Sequence, residues 1–158
     1  MKKLVLLNLI LTIVWVALTG SFEFINFVFG FVLTFLILWI ISSDKTDRKY
    51  FRVIPSIISF FFYFIYELIK ANIQVAYDVI TPTMYMKPGI VSVPLDANTD
   101  LEITLLANVI SLTPGTLSLD VSDDRKVLYV HAMYIHDKDE FIRSIKDGFE
   151  KKLLNITR

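Results

Sequence analysis

Apolar residues are nearly continuous over the first half of the chain, whereas polar and apolar residues mix with regular periodicity over the second half. Residues 4–20 and 24–41 form two apolar runs of roughly 25 and 27 Å each if helical, close to the thickness of a bilayer core. The four residues 20–23 between them allow only a tight turn. We therefore predict a transmembrane helical hairpin over residues 1–52, with a basic cytoplasmic loop at its open end.

A cleaved signal peptide is the alternative reading of the first apolar run, because Lys2 and Lys3 precede it. The sequence Ala17-Leu18-Thr19 is a poor cleavage site, and a second apolar run follows at once. The pattern therefore favours two membrane helices.

Small and weakly polar residues recur every four positions in the second apolar run, at Asn26, Gly30 and Thr34. Residues of this kind let membrane helices approach closely and hydrogen-bond to each other. They are candidates for packing against the first helix, where Asn8 and Thr12 lie, or against another subunit, and both alternatives stay open.

Residues 53–80 form a third, amphipathic segment. Polar residues recur every three or four positions along it, which predicts one polar stripe on a long helix: Arg52, Ser56, Ser59, Tyr63, Glu67, Lys70, Gln74 and Asp78. Such a helix lies in the membrane interface or against partner helices, although its apolar centre also allows a third span. A third span would place residues 81–158 outside; an interfacial helix leaves them in the cytoplasm. Lys and Arg residues flank the open end of the hairpin, and by the positive-inside rule this indicates that both ends of the hairpin lie in the cytoplasm.

Residues 81–158 have the pattern of a small soluble α+β domain in the order β-α-β-β-α. Strands are predicted over residues 90–95, 116–121 and 127–135, with a hairpin turn at 122–125. Thr99 and Glu102 form a capping-box pattern that begins one helix, and Asp137 caps the other. These elements predict one sheet with two helices on a single face. The apolar face of the first helix is predicted to consist of Leu101, Leu105, Leu106, Val109 and Leu112. The second strand alternates, with Leu117, Leu119 and Val121 on one face and Thr116, Ser118 and Asp120 on the other.

Composition and charge restrict the functions that the chain is expected to have. The chain has 158 residues, a mean hydropathy of +0.57, no net charge and no cysteine. The soluble half has more acidic than basic residues, which argues against a nucleic-acid partner. His131 and His136 lack the spacing of metal ligands, and Asp120, Asp123 and Asp124 fit a hairpin turn. We expect no enzymatic activity, no catalytic residues, no metal and no cofactor.

Several segments resemble the E-type subunits of the Mrp-type multisubunit Na⁺/H⁺ antiporters (the Mrp/Mnh/Sha family). They are PGIVSVPL at 88–95, TLLANVISLTPGTLSLDVS at 104–122, LYVH at 128–131 and FIRSIKDGFE at 141–150, with ANIQVA at 71–76 and DVITP at 78–82 upstream. The family-motif residues Asn108, Thr113, Pro114, Gly115, Thr116 and Asp120 are interpreted as structural. The resemblance runs over essentially the whole chain.

This resemblance implies an accessory and assembly subunit of a multi-pass complex in the bacterial cell membrane. Such a complex exchanges Na⁺ for H⁺, is driven by the proton motive force and contributes to sodium and pH homeostasis. The implied partners are the other antiporter subunits and the lipid bilayer, and this chain is not expected to be the ion pathway. Between Lys3 and Asp44 its only charged residue is Glu23, and ion pathways normally use intramembrane ionisable groups. The alternative is a free-standing, membrane-tethered adaptor whose α/β domain recruits a cytosolic partner.

Overall fold

The computed structural model describes residues 2–42, 48–82 and 86–158, which divide into two compact units, residues 1–55 and 56–158. The first unit begins with α1 (Lys2–Thr19) and α2 (Phe24–Ile41). Gly20, whose φ of +65° suits glycine, ends α1, so the two helices are joined by a tight turn. Lys45 of the predicted basic loop lies outside the described residues.

A long helix, α3 (Arg48–Ile80), follows the hairpin, with Pro55 inside its second turn. The aromatic rings of Tyr50 and Phe51 at its start pack against Phe35 of α2, at centroid distances of 5.6 and 5.2 Å. Two helical stretches, Phe24–Ile41 and Tyr50–Ile80, have the length and apolar composition to cross a membrane, whereas Lys3–Thr19 is a shorter apolar helix.

The second unit is built on a three-stranded antiparallel sheet. Its strands are β1 (Gly89–Pro94), β2 (Thr116–Val121) and β3 (Val127–Ala132), in the spatial order β1-β3-β2. The turn between β2 and β3 is closed by Arg125 N donating to Ser122 O at 2.8 Å, with Arg125 at a φ of 59°. The β-α-β-β-α order expected from the sequence is confirmed.

Helix α4 (Asp100–Leu112) begins with the predicted capping box, in which Thr99 and Glu102 each accept from the other's backbone amide. Its buried apolar face differs from the expected one: Ile103, Leu106 and Ile110 are buried. The expected face was therefore wrong for most of its members, since Leu101, Leu105 and Leu112 are exposed and only Leu106 is fully buried. The reason is that α4 packs along the edge of β2, where Ser118 N donates to Ser111 Oγ and Ser118 Oγ donates to Ala107 O.

The strict alternation expected along β2, with Leu117, Leu119 and Val121 on one face, was also wrong. Leu117 and Leu119 are exposed, whereas Ser118 is partly buried and bonded to α4. A register shift between Ser118 and Asp120 then places Val121 against the core. A bulge of this kind breaks the two-residue alternation from which the face was read.

The last helical segment runs through α5 (Lys138–Arg143), a π-helical stretch (Ser144–Glu150) and α6 (Lys151–Thr157). Asp137 caps its start by accepting from the Asp139 and Glu140 amides. The core lies between this segment, α4 and one face of the sheet; its buried members are Val91, Val93, Leu106, Ile110, Leu128, Val130, Ile145, Phe149 and Leu153.

Candidate functional site

Several titratable side chains line one cleft of the second unit, among them Glu67, Lys70, His136, Asp137 and Glu140. Among the described residues, no group of three or more His, Cys, Asp or Glu side chains is placed to hold a metal. His131 is half-buried in β3 and His136 is exposed after it. Asp124 accepts from Ser122 Oγ at 2.6 Å, and this hydrogen bond lowers the pKa of its carboxyl. Asp124 therefore shapes the β2–β3 turn.

The small and polar residues of α2 face α1. Thr34 Oγ1 donates to Asn8 Oδ1, and Asn26 Nδ2 donates to Thr19 Oγ1 at 2.7 Å. A Cβ added at Gly30 would lie 2.7 Å from Cδ1 of Trp15, so only glycine allows this approach. Gly30 and Thr34 are buried within the hairpin, so α1 covers this face of α2.

A buried polar network joins the hairpin to the first turn of α3. Asn8 is fully buried, donates from Nδ2 to Tyr50 Oη at 2.7 Å and accepts from Thr34. Thr12 lies 3.3 Å from Thr34, with one hydroxyl donating to the other. Every member of this network is neutral. It can fix helix packing, because a polar side chain in an apolar layer needs a partner, but it offers no charge to carry an ion.

The polar stripe of α3 faces residues 86–158, which are called the soluble unit from here on. Phe60, Tyr63 and Phe64 pack on its core, and the Tyr63 ring lies 5.2 Å from that of Phe149. Lys152 Nζ lies 5.1 Å above the Tyr63 ring, within the range of a cation–π contact.

Gly148 makes this approach possible. A Cβ at this position would lie 2.1 Å from the Tyr63 hydroxyl oxygen and 2.9 Å from Cζ. Gly148 is buried in the π-helical stretch, and π-helical turns are often found at functional positions. The lack of a side chain at Gly148 therefore leaves the space that the Tyr63 ring and hydroxyl occupy.

The family-motif turn faces the next turns of α3 across a cleft of about 370 Å³, lined by Glu67, Lys70 and Gln74 on one side and residues 113–116 on the other. Thr116 Oγ1 donates to Ile110 O at 2.6 Å and Thr113 Oγ1 donates to Val109 O at 3.1 Å. Gly115 has a φ of +84°. These contacts end α4 and turn the chain into β2.

Two other motif residues lie on the surface of the soluble unit. Asn108 is exposed on α4, and Asp120 is exposed after the bulge of β2, where its Oδ1 accepts from the Val121 amide at 2.8 Å. Their exposure leaves their side chains accessible to a partner.

The opposite face of α3 is apolar and exposed. Exposed apolar residues recur at helical spacing over the part of α3 that follows Pro55: Ile57, Ile58, Phe61, Phe62, Tyr66, Ile69, Ile73 and Ile80. The helix thus packs on the soluble unit with one face, and its other face is apolar and exposed. The sequence pattern indicated two faces, but not which of them the soluble unit covers.

An apolar hairpin, a two-faced helix and a small α+β unit define a membrane protein with an attached soluble module. The family model of the Na⁺/H⁺ ion antiporter subunit matches residues 8–156. The E-type Na⁺/H⁺ antiporter subunits of Alkalihalophilus pseudofirmus and Bacillus subtilis are 43% and 39% identical, each over 98% of both chains. The chain belongs to this family of E-type Na⁺/H⁺ antiporter subunits, which confirms the resemblance seen in the sequence.

Two solved complexes contain a chain with a similar fold. In the Mrp complex from Dietzia sp. DQ12-45-1b, the matching chain is 31% identical, with a TM-score of 0.50 over 65% of this chain and 96% of that one. In the membrane-bound sulfane sulfur reductase, an archaeal respiratory membrane complex, the match is 25% identical with a TM-score of 0.54 over 97% and 98%. The fold therefore occurs in more than one kind of membrane complex.

Proposed function

We propose that this chain is an accessory and assembly subunit of a multisubunit Na⁺/H⁺ antiporter in the bacterial cell membrane, and that its partners supply the ion pathway. The observation that carries the proposal is the neutral network of Asn8, Thr12, Thr34 and Tyr50, whose polar groups are hydrogen-bonded to each other between the hairpin and the first turn of α3. Ion and proton pathways through membranes use ionisable side chains. The hairpin instead has the features of a packing element.

The soluble unit lies on the cytoplasmic side in this proposal, with α3 in the membrane interface. Phe60, Tyr63 and Phe64 contact the core of the soluble unit, and in this proposal that contact keeps these turns of α3 beside a folded domain and outside the hydrocarbon layer. The part of α3 before them, residues 48–59, would rise only about 18 Å. That is well below the roughly 30 Å of a bilayer core, which supports an interfacial α3.

Deletion of the chain tests the assembly role. We expect Na⁺/H⁺ exchange in everted membrane vesicles to fall to background, because the other subunits no longer copurify as one complex. The matched control is the Ser144→Ala variant, an exposed change that leaves assembly unaltered. A complete complex that lacked this chain and still exchanged ions at the normal rate would contradict the proposal. Normal antiporter assembly without the chain, together with loss of a bound cytosolic protein, would favour the adaptor alternative.

A further inference from the structure

The two outer strands of the sheet, β1 and β2, differ in how their free edges are protected. The edge of β2 has the bulge after Ser118 and is bonded to α4, where Ser118 N donates to Ser111 Oγ. Bulges and covering helices are common protections of an edge against pairing with another strand. Among the described residues, no strand or helix is hydrogen-bonded to the outer edge of β1. We call this the open edge of the sheet.

The register shows which backbone groups point to the open edge. The Leu95 amide donates to the carbonyl of the residue that precedes β3, at 2.8 Å. Hydrogen-bonded positions recur at every second residue of an antiparallel ladder, so Val93 and Val91 also bond to β3. Ile90 and Ser92 alternate with them. Their amide and carbonyl groups therefore point away from β3, toward the open edge.

Prolines limit the open edge to these two residues. Pro88 precedes β1 and Pro94 takes the next outward position, and neither has an amide hydrogen. Proline is tolerated in an edge strand where its nitrogen faces away from the ladder. Residues 88–95 have no charged side chain, although charges are a common protection of an edge. The open edge therefore offers the unpaired donors and acceptors of Ile90 and Ser92, without a charge to repel a partner strand.

The side chains of β1 leave this edge accessible from the outer face. Val91 and Val93 are buried in the core, against which Phe141 of α5 packs. This contact places α5 on the core side of the sheet. The Ile90 side chain points to the opposite face and is 59% exposed. A strand added at the open edge would place one of its own side chains beside Ile90.

The short length of the open edge decides which occupant fits. Pairing through Ile90 and Ser92 alone buries far less than the roughly 1,200 Å² of a stable interface between free proteins. A second copy of this chain would therefore not be held by this contact, and lipid tails offer no partner to backbone groups. An extended segment of a chain already bound in the same complex can pair there, because its other contacts raise its effective concentration.

We propose that the open edge binds an extended segment of another antiporter subunit, which adds a short strand beside Ile90 and Ser92. The inference rests on the proposed function, which supplies the complex. In strand addition of this kind, main-chain hydrogen bonds provide the affinity and neighbouring side chains the specificity. The expected segment has no proline at the paired positions and has an apolar residue beside Ile90.

Hydrogen exchange tests the pairing in the full chain, compared between the isolated detergent-solubilised chain and the purified complete antiporter. The Ile90 and Ser92 amides should exchange at least about a hundredfold more slowly in the complex, because they become hydrogen-bonded there. The Val91 and Val93 amides, which bond to β3, should be protected in both samples and are the internal control. Unchanged exchange at Ile90 and Ser92 would overturn the inference. So would protection that rises with the concentration of the isolated chain, since a second copy would then be the occupant.

A photo-crosslinking amino acid at position 90 identifies the occupant, in cells that express the whole antiporter. We expect a crosslink to another antiporter subunit. No crosslink, or crosslinks only to lipid, to a second copy of this chain or to a protein outside the antiporter, would contradict the proposal. Failure of the wild-type chain to copurify with antiporter subunits would instead refute the proposed function.

Substitution of Ser92 provides a matched pair of variants. Ser92→Pro removes one donor of the open edge and keeps the amides that bond to β3, so it should lower the crosslink yield from position 90 about tenfold. Ser92→Ala keeps the amide and should leave the yield unchanged. Slow exchange of the Val91 and Val93 amides shows that the sheet of Ser92→Pro has folded. Full yield in the folded variant would refute the pairing, and if the variant does not fold, the exchange of the wild-type amides decides.

Discussion

At the scale of single residues, two glycines decide how closely elements approach. Gly30 accepts the Trp15 ring inside the hairpin, and Gly148 accepts the Tyr63 side chain of α3. The four-residue spacing of Gly30 with Asn26 and Thr34 indicated close helix packing, but the role of Gly148 is not visible in the sequence, because a glycine inside a helical pattern indicates only a local cost. The neighbours that make the glycine necessary come from distant parts of the chain.

Replacement of Gly148 by Ala should destabilise the docking of α3 on the soluble unit by about 1–3 kcal/mol, the usual cost of overpacking. The Cβ would meet the Tyr63 hydroxyl, so the loss should be smaller in a Tyr63→Phe background, with Cζ as the remaining close atom. Thermal unfolding of the detergent-solubilised chain, followed by circular dichroism, measures both. Ser144→Ala, an exposed change on the same helical segment, is the control. If Gly148→Ala lowered the stability equally in the wild-type and Tyr63→Phe backgrounds, the close contact between Gly148 and the Tyr63 hydroxyl would be contradicted.

At the scale of elements, two buried glutamates tie the C-terminal helix to the start of α4. Glu102 accepts from Thr157 Oγ1 at 2.8 Å and from Arg158 Nε at 3.2 Å. Glu150 Oε1 accepts from the Asp96 and Ala97 amides, and its Oε2 lies 2.8 Å from Lys146 Nζ. The loop before α4 is thereby fastened to the last helix at two points.

This arrangement makes the attachment of α6 dependent on pH. The Arg158 hydrogen bond is the main cause that holds the pKa of Glu102 well below its ordinary value of 4.5, supported by the Asn98 amide and opposed by burial. A carboxyl with a lowered folded-state pKa stabilises the fold above its unfolded pKa and loses that contribution as the pH falls toward the folded value. The stabilisation should be complete at about pH 7 and decline below about pH 4.5.

Replacement of Glu102 by Gln should remove that pH dependence and cost about 1–3 kcal/mol at about pH 7, because charge-assisted hydrogen bonds are lost in a buried place. Hydrogen exchange of the α6 amides in the detergent-solubilised chain, compared at pH 7 and pH 4, reports the effect. Asp139→Asn, an exposed change, is the control. An α6 that loses protection equally in wild type and Glu102→Gln at low pH would argue against this role.

At the scale of the whole molecule, the membrane side of the soluble unit follows from whether α3 crosses the bilayer. The chain has no cysteine, so single cysteines report sidedness without background. A membrane-impermeant maleimide should label Asp124→Cys only in everted vesicles or permeabilised cells, and Glu23→Cys, at the hairpin tip, in intact cells. Asn155→Cys should follow Asp124→Cys. Labelling of Asp124→Cys in intact cells would mean that α3 spans the membrane.

The sequence by itself determined the apolar hairpin, the order of strands and helices, and both helix caps of the soluble unit. These features rest on local causes: uninterrupted apolar length, the Thr99–Glu102 capping pair, and the Asp137 cap. Family membership was also readable from the sequence, because segments such as residues 104–122 are distinctive.

Only the tertiary structure decided which face of each element is buried. In α4 the leucines at 101, 105 and 112 formed the predicted apolar face, yet the residues buried in the core are Ile103, Leu106 and Ile110. In α3 the polar stripe faces the soluble unit and the apolar face stays open. The physical reason is that periodicity describes one element alone, whereas burial depends on which neighbours pack against it, and in a subunit of a larger complex an apolar face can be reserved for a partner or the membrane.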